Sequence, residues 1–198
     1  MAERLLIWAG IEDWRSEVAA VELSSDGVRA SGTQVGLEPL PYRLDYRLEA
    51  PKRYVTRELD VHVIGEGWSR RLELRHEGAG IWSCHAEARG RPELGEPGGD
   101  AAPLSEALDC DLGLSPLTNL MPIRRHELHE HAGYAEFLMA WVSVPDLGVH
   151  ASRQRYEHVR PGVVRYVDLG LYRGFAAELE LDGDGLVVDY PQLARRIP

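Results

Sequence analysis

The sequence predicts a mainly β protein made of antiparallel strands. Hydrophobic and charged residues alternate with a period of two in segment after segment, turns rich in glycine and aspartate separate those segments, and helical signals are short. Tyr42–Ala50 is the clearest case. Tyr42, Leu44, Tyr46, Leu48 and Ala50 share one face while Arg43, Asp45, Arg47 and Glu49 share the other, as a half-buried strand requires. Leu59, Val61 and Val63 alternate with Asp60 and His62, and Leu72 and Leu74 with Arg71, Glu73 and Arg75. Late in the chain Phe175, Ala177, Leu179 and Leu181 alternate with Ala176, Glu178 and Glu180. Ser25-Asp26-Gly27, Glu77-Gly78-Ala79-Gly80 and Asp182-Gly183-Asp184-Gly185 supply the positive-φ residues of tight hairpins, so successive strands should pair as a meander.

Three segments depart from this pattern. Phe137–Val144 is apolar on both faces, so its second face needs a cover: a sheet, a helix or a ligand. Gly90–Pro103 reads as an exposed loop between two sheet-rich halves. Asp109–Arg125 interleaves polar and apolar residues around Pro116 and Pro122, and should form a loop held by its own side-chain hydrogen bonds. Helical turns are expected only at Ser105–Leu108 and Gln192–Arg196.

Composition bounds the function. The 198 residues are 44% hydrophobic and 27% charged, which suits one globular domain spanning 1–198. A net charge of -10 without a dense basic cluster makes nucleic acid a poor partner. The apolar start Leu5–Ala9 runs quickly into Glu12 and Asp13, unlike a secretory leader, and no apolar run approaches a membrane span. The chain is therefore expected in the cytoplasm, not as an integral membrane protein, with Cys84 and Cys110 reduced. Lys52 is the only lysine beside 21 arginines, which suggests a GC-rich genome. Codon bias does not explain a second skew, in which 13 of the 15 aromatics are Trp or Tyr, with an apolar body and a polar tip.

Motif by motif, catalytic and metal readings lose to plainer ones. The run His126–His131 lacks the HExxH spacing and reads as a solvated turn, although His129 and His131 would share a strand face. Asp182–Gly185 opens like a calcium loop, but Leu186 and Leu193 fall where oxygen ligands are needed. Ser115 is followed by Pro116, which has no N–H to donate to an oxyanion, and Gly65-Glu66-Gly67 lacks the third glycine of a nucleotide loop. Asp109 and Asp111 could share a metal or do acid–base work, but such pairs more often accept backbone N–H bonds. No catalytic residue, metal site or cofactor is assigned.

The same Asp109–Arg125 stretch resembles the signature of a bacterial family of putative glycolipid-binding proteins. The matching positions are Asp109, Asp111, Leu112, Ser115, Pro116, Thr118, Asn119, Pro122, Ile123, Arg124 and Arg125. Trp8 and the Glu17 segment, Gly80-Ile81-Trp82, Gln154-Arg155-Tyr156 and Asp184–Pro191 follow the family pattern as well. Leu117 stands where the family usually has an aromatic, and Leu120 where it has a small polar residue. The resemblance implies a curled antiparallel sheet, a spiral β-roll or incomplete barrel with few short helices. That architecture is similar to exported carriers of lipoproteins and complex lipids.

On this basis the expected function is non-catalytic binding of a lipid, glycolipid or other amphiphile in an apolar cavity of the roll. Trp8, Tyr46, Trp82, Trp141 and Tyr156 are the candidate lining, with Asn119 and Arg124 as polar anchors, since an arginine fork suits phosphate or carboxylate. The plainer reading makes each aromatic ordinary core and has Arg124 and Arg125 brace Asp109, Asp111 or Glu17. Two other functions stay open. One is an enzyme acting on a small or lipidic substrate through polar residues of 109–125. The other is an interaction module with an exposed sheet face, for which a second copy of the chain, as a homodimer, is one partner.

Overall fold

The computed structural model describes residues 2–90 and 93–198. Fourteen strands form one open, curled sheet. The first seven are β1 (Ala2–Gly10), β2 (Arg15–Leu23), β3 (Val28–Gly36), β4 (Tyr42–Ala50), β5 (Glu58–Gly65), β6 (Trp68–Gly78) and β7 (Ile81–Arg89). The rest are β8 (Asp109–Leu112), β9 (Tyr134–Val142), β10 (Val149–Arg160), β11 (Val163–Asp168), β12 (Ala176–Leu181), β13 (Val187–Tyr190) and β14 (Ala194–Arg196). The sheet order is β7-β6-β5-β4-β3-β2-β1-β14-β13-β12-β11-β10-β9-β8. All pairings are antiparallel except β8 with β9. No helix among the described residues is long and apolar enough to cross a membrane.

The period-two segments become strands with the expected faces. Along β4 every odd-numbered partner of the charged face is at least partly open while Tyr42, Leu44, Tyr46, Leu48 and Ala50 are buried. Glycines opposite the large rings explain the tight curl. Gly32 pairs with Tyr46 and Gly36 with Tyr42, and a Cβ at either glycine would lie within 2.6 Å of the facing ring. The Gly78-Ala79-Gly80 turn takes the expected positive φ at all three residues, whereas Gly27 does not, its turn being closed by the Ser24 N–H donating to the Gly27 carbonyl.

The interior of the roll is filled by the protein itself. Leu44, Leu48, Leu59, Leu72 and Leu74 pack with Leu104, Cys110, Leu112, Leu117, Leu120 and Met121 in one core. A second core in the C-terminal half holds Ile123, Leu128, Tyr156, Val164, Leu179 and Tyr190. Between them lies the 109–125 segment, and here the expectation of a loop is corrected. It forms β8, a 3-10 turn at Pro116–Asn119 and a short helix α1 (Leu120–Arg125). Pro122 sits in the first turn of α1, where its missing N–H leaves no helical bond unmade. Leu117, Leu120 and Met121 face one core and Ile123 the other, so this segment is a wedge.

Other expectations also need correction. Gln192–Arg196 supplies β14 rather than a helical turn, and the helical residues near 105 are Ala102–Leu104. Trp68 opens β6 and is buried, whereas Trp14 is an exposed turn residue. His126–His131 is a turn, but His129 is buried. On β9, Leu138, Ala140 and Val142 join the first core, which also takes in Leu94, Ala101, Leu104 and Ala107 of the chain between the two halves, while on the other face Met139 is buried and Trp141 half-buried. Residues 91 and 92 of the expected exposed loop lie outside the described residues. Both cysteines are free.

Candidate binding pocket

The parallel register of β8 on β9 pairs Asp109 with Met139 and Asp111 with Trp141, so both carboxylates leave the sheet on the Trp141 side. Their environments differ. Asp109 is fully buried and pairs with Arg125, which donates from Nη1 at 2.7 Å and from Nη2 to the second oxygen. Burial still holds the Asp109 carboxyl above its ordinary range, with the guanidinium pulling it down. Asp111 pairs with no cation among the described residues. Its oxygens accept from the Thr118 hydroxyl at 2.8 Å and the Gln154 amide at 2.6 Å, and burial raises its pKa.

From Asp111 the chain turns through Gly113 to Ser115, whose hydroxyl oxygen accepts from the Leu117 N–H at 3.3 Å and so caps the 3-10 turn. That turn presents Asn119, whose Oδ1 accepts from the Tyr156 hydroxyl at 2.9 Å and whose amide donates to the Pro116 carbonyl at 3.2 Å. Asp111, Ser115 and Asn119 form the polar floor of a pocket of about 660 Å³ that opens to solvent. Its walls are Trp141 from β9, Tyr166 from β11, Tyr190 from β13, and Tyr172 and Phe175 from the turn after β11. Asp168 holds that turn, its Oδ1 accepting from the Gly170 and Tyr172 N–H groups at 2.7 and 3.0 Å. Trp141 and Tyr172 meet edge to face with centroids 5.7 Å apart, and Tyr166 stands 6.0 Å from Phe175 and 6.1 Å from Tyr190. Asp146 and His150 also line the pocket, and no Lys or Arg does among the described residues.

Of the seven residues expected to meet a ligand, Asn119 and Trp141 line this pocket. Tyr156 lies behind it, bonded to Asn119. The other four are elsewhere. Trp8 is buried at the β1–β14 seam and donates from Nε1 to the Val187 carbonyl at 2.9 Å. The Tyr46 hydroxyl donates to Glu17 at 2.6 Å. Trp82 donates to the Ala107 carbonyl at 3.1 Å and stacks on His76. Arg124 donates from Nε to the Tyr54 hydroxyl at 3.1 Å and lies over that ring, bracing the fold rather than lining the pocket. Tyr166, Tyr172, Phe175 and Tyr190 were not foreseen. Two signals were available: the inward alternation of Tyr166, and Tyr190 inside the Asp184–Pro191 tail.

A family model described as "Putative glycolipid-binding" matches residues 5–196. The chain belongs to that family. Among solved structures, a DUF1089 family protein from Pseudomonas aeruginosa is similar at 31% identity with a TM-score of 0.71, over 91% of this chain and 92% of that one. No curated protein matches. The family signature gathers in space around the pocket: Asp111, Ser115 and Asn119 form its floor, Tyr190 of the tail is a wall, and Tyr156 backs it. Gly185 of the tail packs against Arg124, its Cβ position being 3.2 Å from the arginine Cδ. Among the described residues no cluster of three or more His, Cys, Asp or Glu could hold a metal.

Proposed function

We propose that this pocket binds an amphiphile of the glycolipid class, with an uncharged, hydroxyl-bearing head on the floor and the start of its apolar chain along the aromatic wall. The observation that carries the reading is the lining itself: five aromatic rings facing Asp111, Ser115 and Asn119, with no Lys or Arg among the described residues. Hydroxyl groups can donate to the free lone pairs of Asp111 and accept from polar side chains, while the rings cover the apolar part. Family membership supports a binding role. The volume of about 660 Å³ is within the usual range for small-molecule sites and fits a head group and the first stretch of one chain. Two carboxylates in the lining and a net charge of -10 disfavour an anionic head.

Calorimetric titration with an alkyl glucoside and with an alkyl phosphate of equal chain length tests the reading. The glucoside should bind the more tightly, and Trp141→Ala should weaken it about tenfold to thirtyfold, the cost of losing an aromatic anchor. Failure of the glucoside to bind, or a preference for the phosphate, overturns it.

A further inference from the structure

Behind the pocket floor is a buried carboxylate that amphiphile binding alone does not explain. Glu17 of β2 is 4% exposed and sits opposite Trp8 of β1. Its Oε1 accepts from the Tyr46 hydroxyl at 2.6 Å and the Ser115 hydroxyl at 2.8 Å, and its Oε2 from the Gln34 amide at 3.3 Å. Every one of these donors is uncharged. Arg15, on the same strand, is the cation facing it, but its guanidinium donates to the Leu193 carbonyl and approaches Asp13 at 3.7 Å. Tyr42 of β4 faces the cluster too, and Glu12 adds a more distant charge beside Arg15. Leu114, Pro116 and Ala194 of β14 line the same small space beside it.

We propose that Glu17 takes up a proton when the pocket is occupied, with the Ser115 hydroxyl as the link between them. This inference rests on the pocket being the binding site. Ser115 has one hydroxyl proton, which it gives to Glu17, and it also lines the pocket. A ligand oxygen that accepts a hydrogen bond from Ser115 draws that proton away. Glu17 is then left as a buried carboxylate with two neutral donors, and its charged form loses ground to its protonated form. An acceptor for the incoming proton is at hand. Gln34 Oε1 is buried without a partner, and rotation of the amide brings it to Glu17 Oε2. Burial already places the Glu17 pKa at about 7, so a modest further rise transfers a proton under ordinary conditions. Burial also raises the Tyr42 pKa to about 12 and that of Tyr46 well above its usual value, so both remain neutral hydroxyls throughout.

The test uses the full chain and an alkyl glucoside. Titration calorimetry at about pH 7, in buffers of different ionisation enthalpy, should show uptake of a fraction of a proton, absent in Glu17→Gln and in Ser115→Ala. Affinity should fall about threefold between about pH 6 and about pH 8. Without ligand, carbon-detected NMR of the Glu17 carboxyl should show it titrating near neutrality, and Ser115→Ala should raise that midpoint. Binding with no buffer dependence overturns the coupling and leaves the pocket reading standing. No binding overturns both, and a Glu17 midpoint that ignores Ser115→Ala overturns the link by itself, with no ligand involved.

Discussion

Replacing Arg125 with Met should cost the fold about 3–5 kcal/mol, the usual consequence of removing one partner from a buried ion pair. The side chains of Asp109 and Arg125 are 0% and 4% exposed, so water cannot take over the solvation of the abandoned carboxylate. Arg125 also donates to the Tyr54 carbonyl at 3.3 Å, ties α1 to the β4–β5 connection and lies over the Phe137 ring. The cost arises mainly from stranding a charge. The double variant Asp109→Asn, Arg125→Met should therefore recover a large part of it. In the single variant the loss should shrink as pH falls, because a protonated Asp109 no longer needs a cation. Urea unfolding at two pH values measures both effects, and a single-variant loss under about 1 kcal/mol would show that Asp109 has another way to be satisfied.

Stability should also decline as pH rises from about 4.5 to about 7, with Glu17 responsible for on the order of 3 kcal/mol. The sign follows from which state holds the proton. Folded Glu17 titrates at about 7 and an unfolded glutamate near 4.3, so between those values the folded chain binds a proton that the unfolded chain has lost. The contribution is complete below the unfolded pKa and disappears as pH passes the folded one. Asp109 and Asp111 are also raised by burial and add slopes of the same sign in their own ranges. Glu17→Gln isolates the glutamate: the variant keeps acceptors for Tyr46 and Ser115 and gains an amide for the unpartnered Gln34 oxygen. It should be more stable than the parent at about pH 8 and flatter across the window. A parent and variant with parallel pH profiles would be inconsistent with a high Glu17 pKa.

The sheet was readable in the sequence where one face of a strand meets water, because charge on alternate residues marks that face. Tyr42–Ala50 became β4 with the same limits. The readout weakened where both faces are covered or the backbone leaves the sheet. In 109–125 the apolar residues serve two cores on opposite sides, so no single period appears, and a wedge looked like a loop. The family resemblance brought the curl of the sheet, which alternation does not encode. The pocket was legible only in part. Trp141 stood out because β9 is apolar on both faces, and Asn119 because it lies in the signature. Tyr172 and Phe175 reach the pocket through a turn that Asp168 holds with backbone hydrogen bonds, a dependence invisible to any periodicity. Arg124 looked like an anion fork, but Tyr54, distant in sequence, takes its guanidinium.

The sheet order has a consequence for how the chain assembles. Along the sheet the strands read β8 through β14 and then β1 through β7, so each strand from β1 to β7, and from β8 to β14, lies beside its sequence neighbour. Among the described strands, the two halves of the ladder join where β1 meets β14, at the pairs Trp8 with Arg196, Ala9 with Arg195 and Gly10 with Ala194. The molecule is thus two runs of sequence-adjacent strands, a meander over β1–β7 and a second run that is antiparallel after its parallel β8–β9 pair, fastened at a short seam, a topology in which most loops close cheaply before any distant pairing is needed. Trp8 is at that seam, and its indole N–H reaches across to Val187. Its burial there ties the first half of the chain to the last.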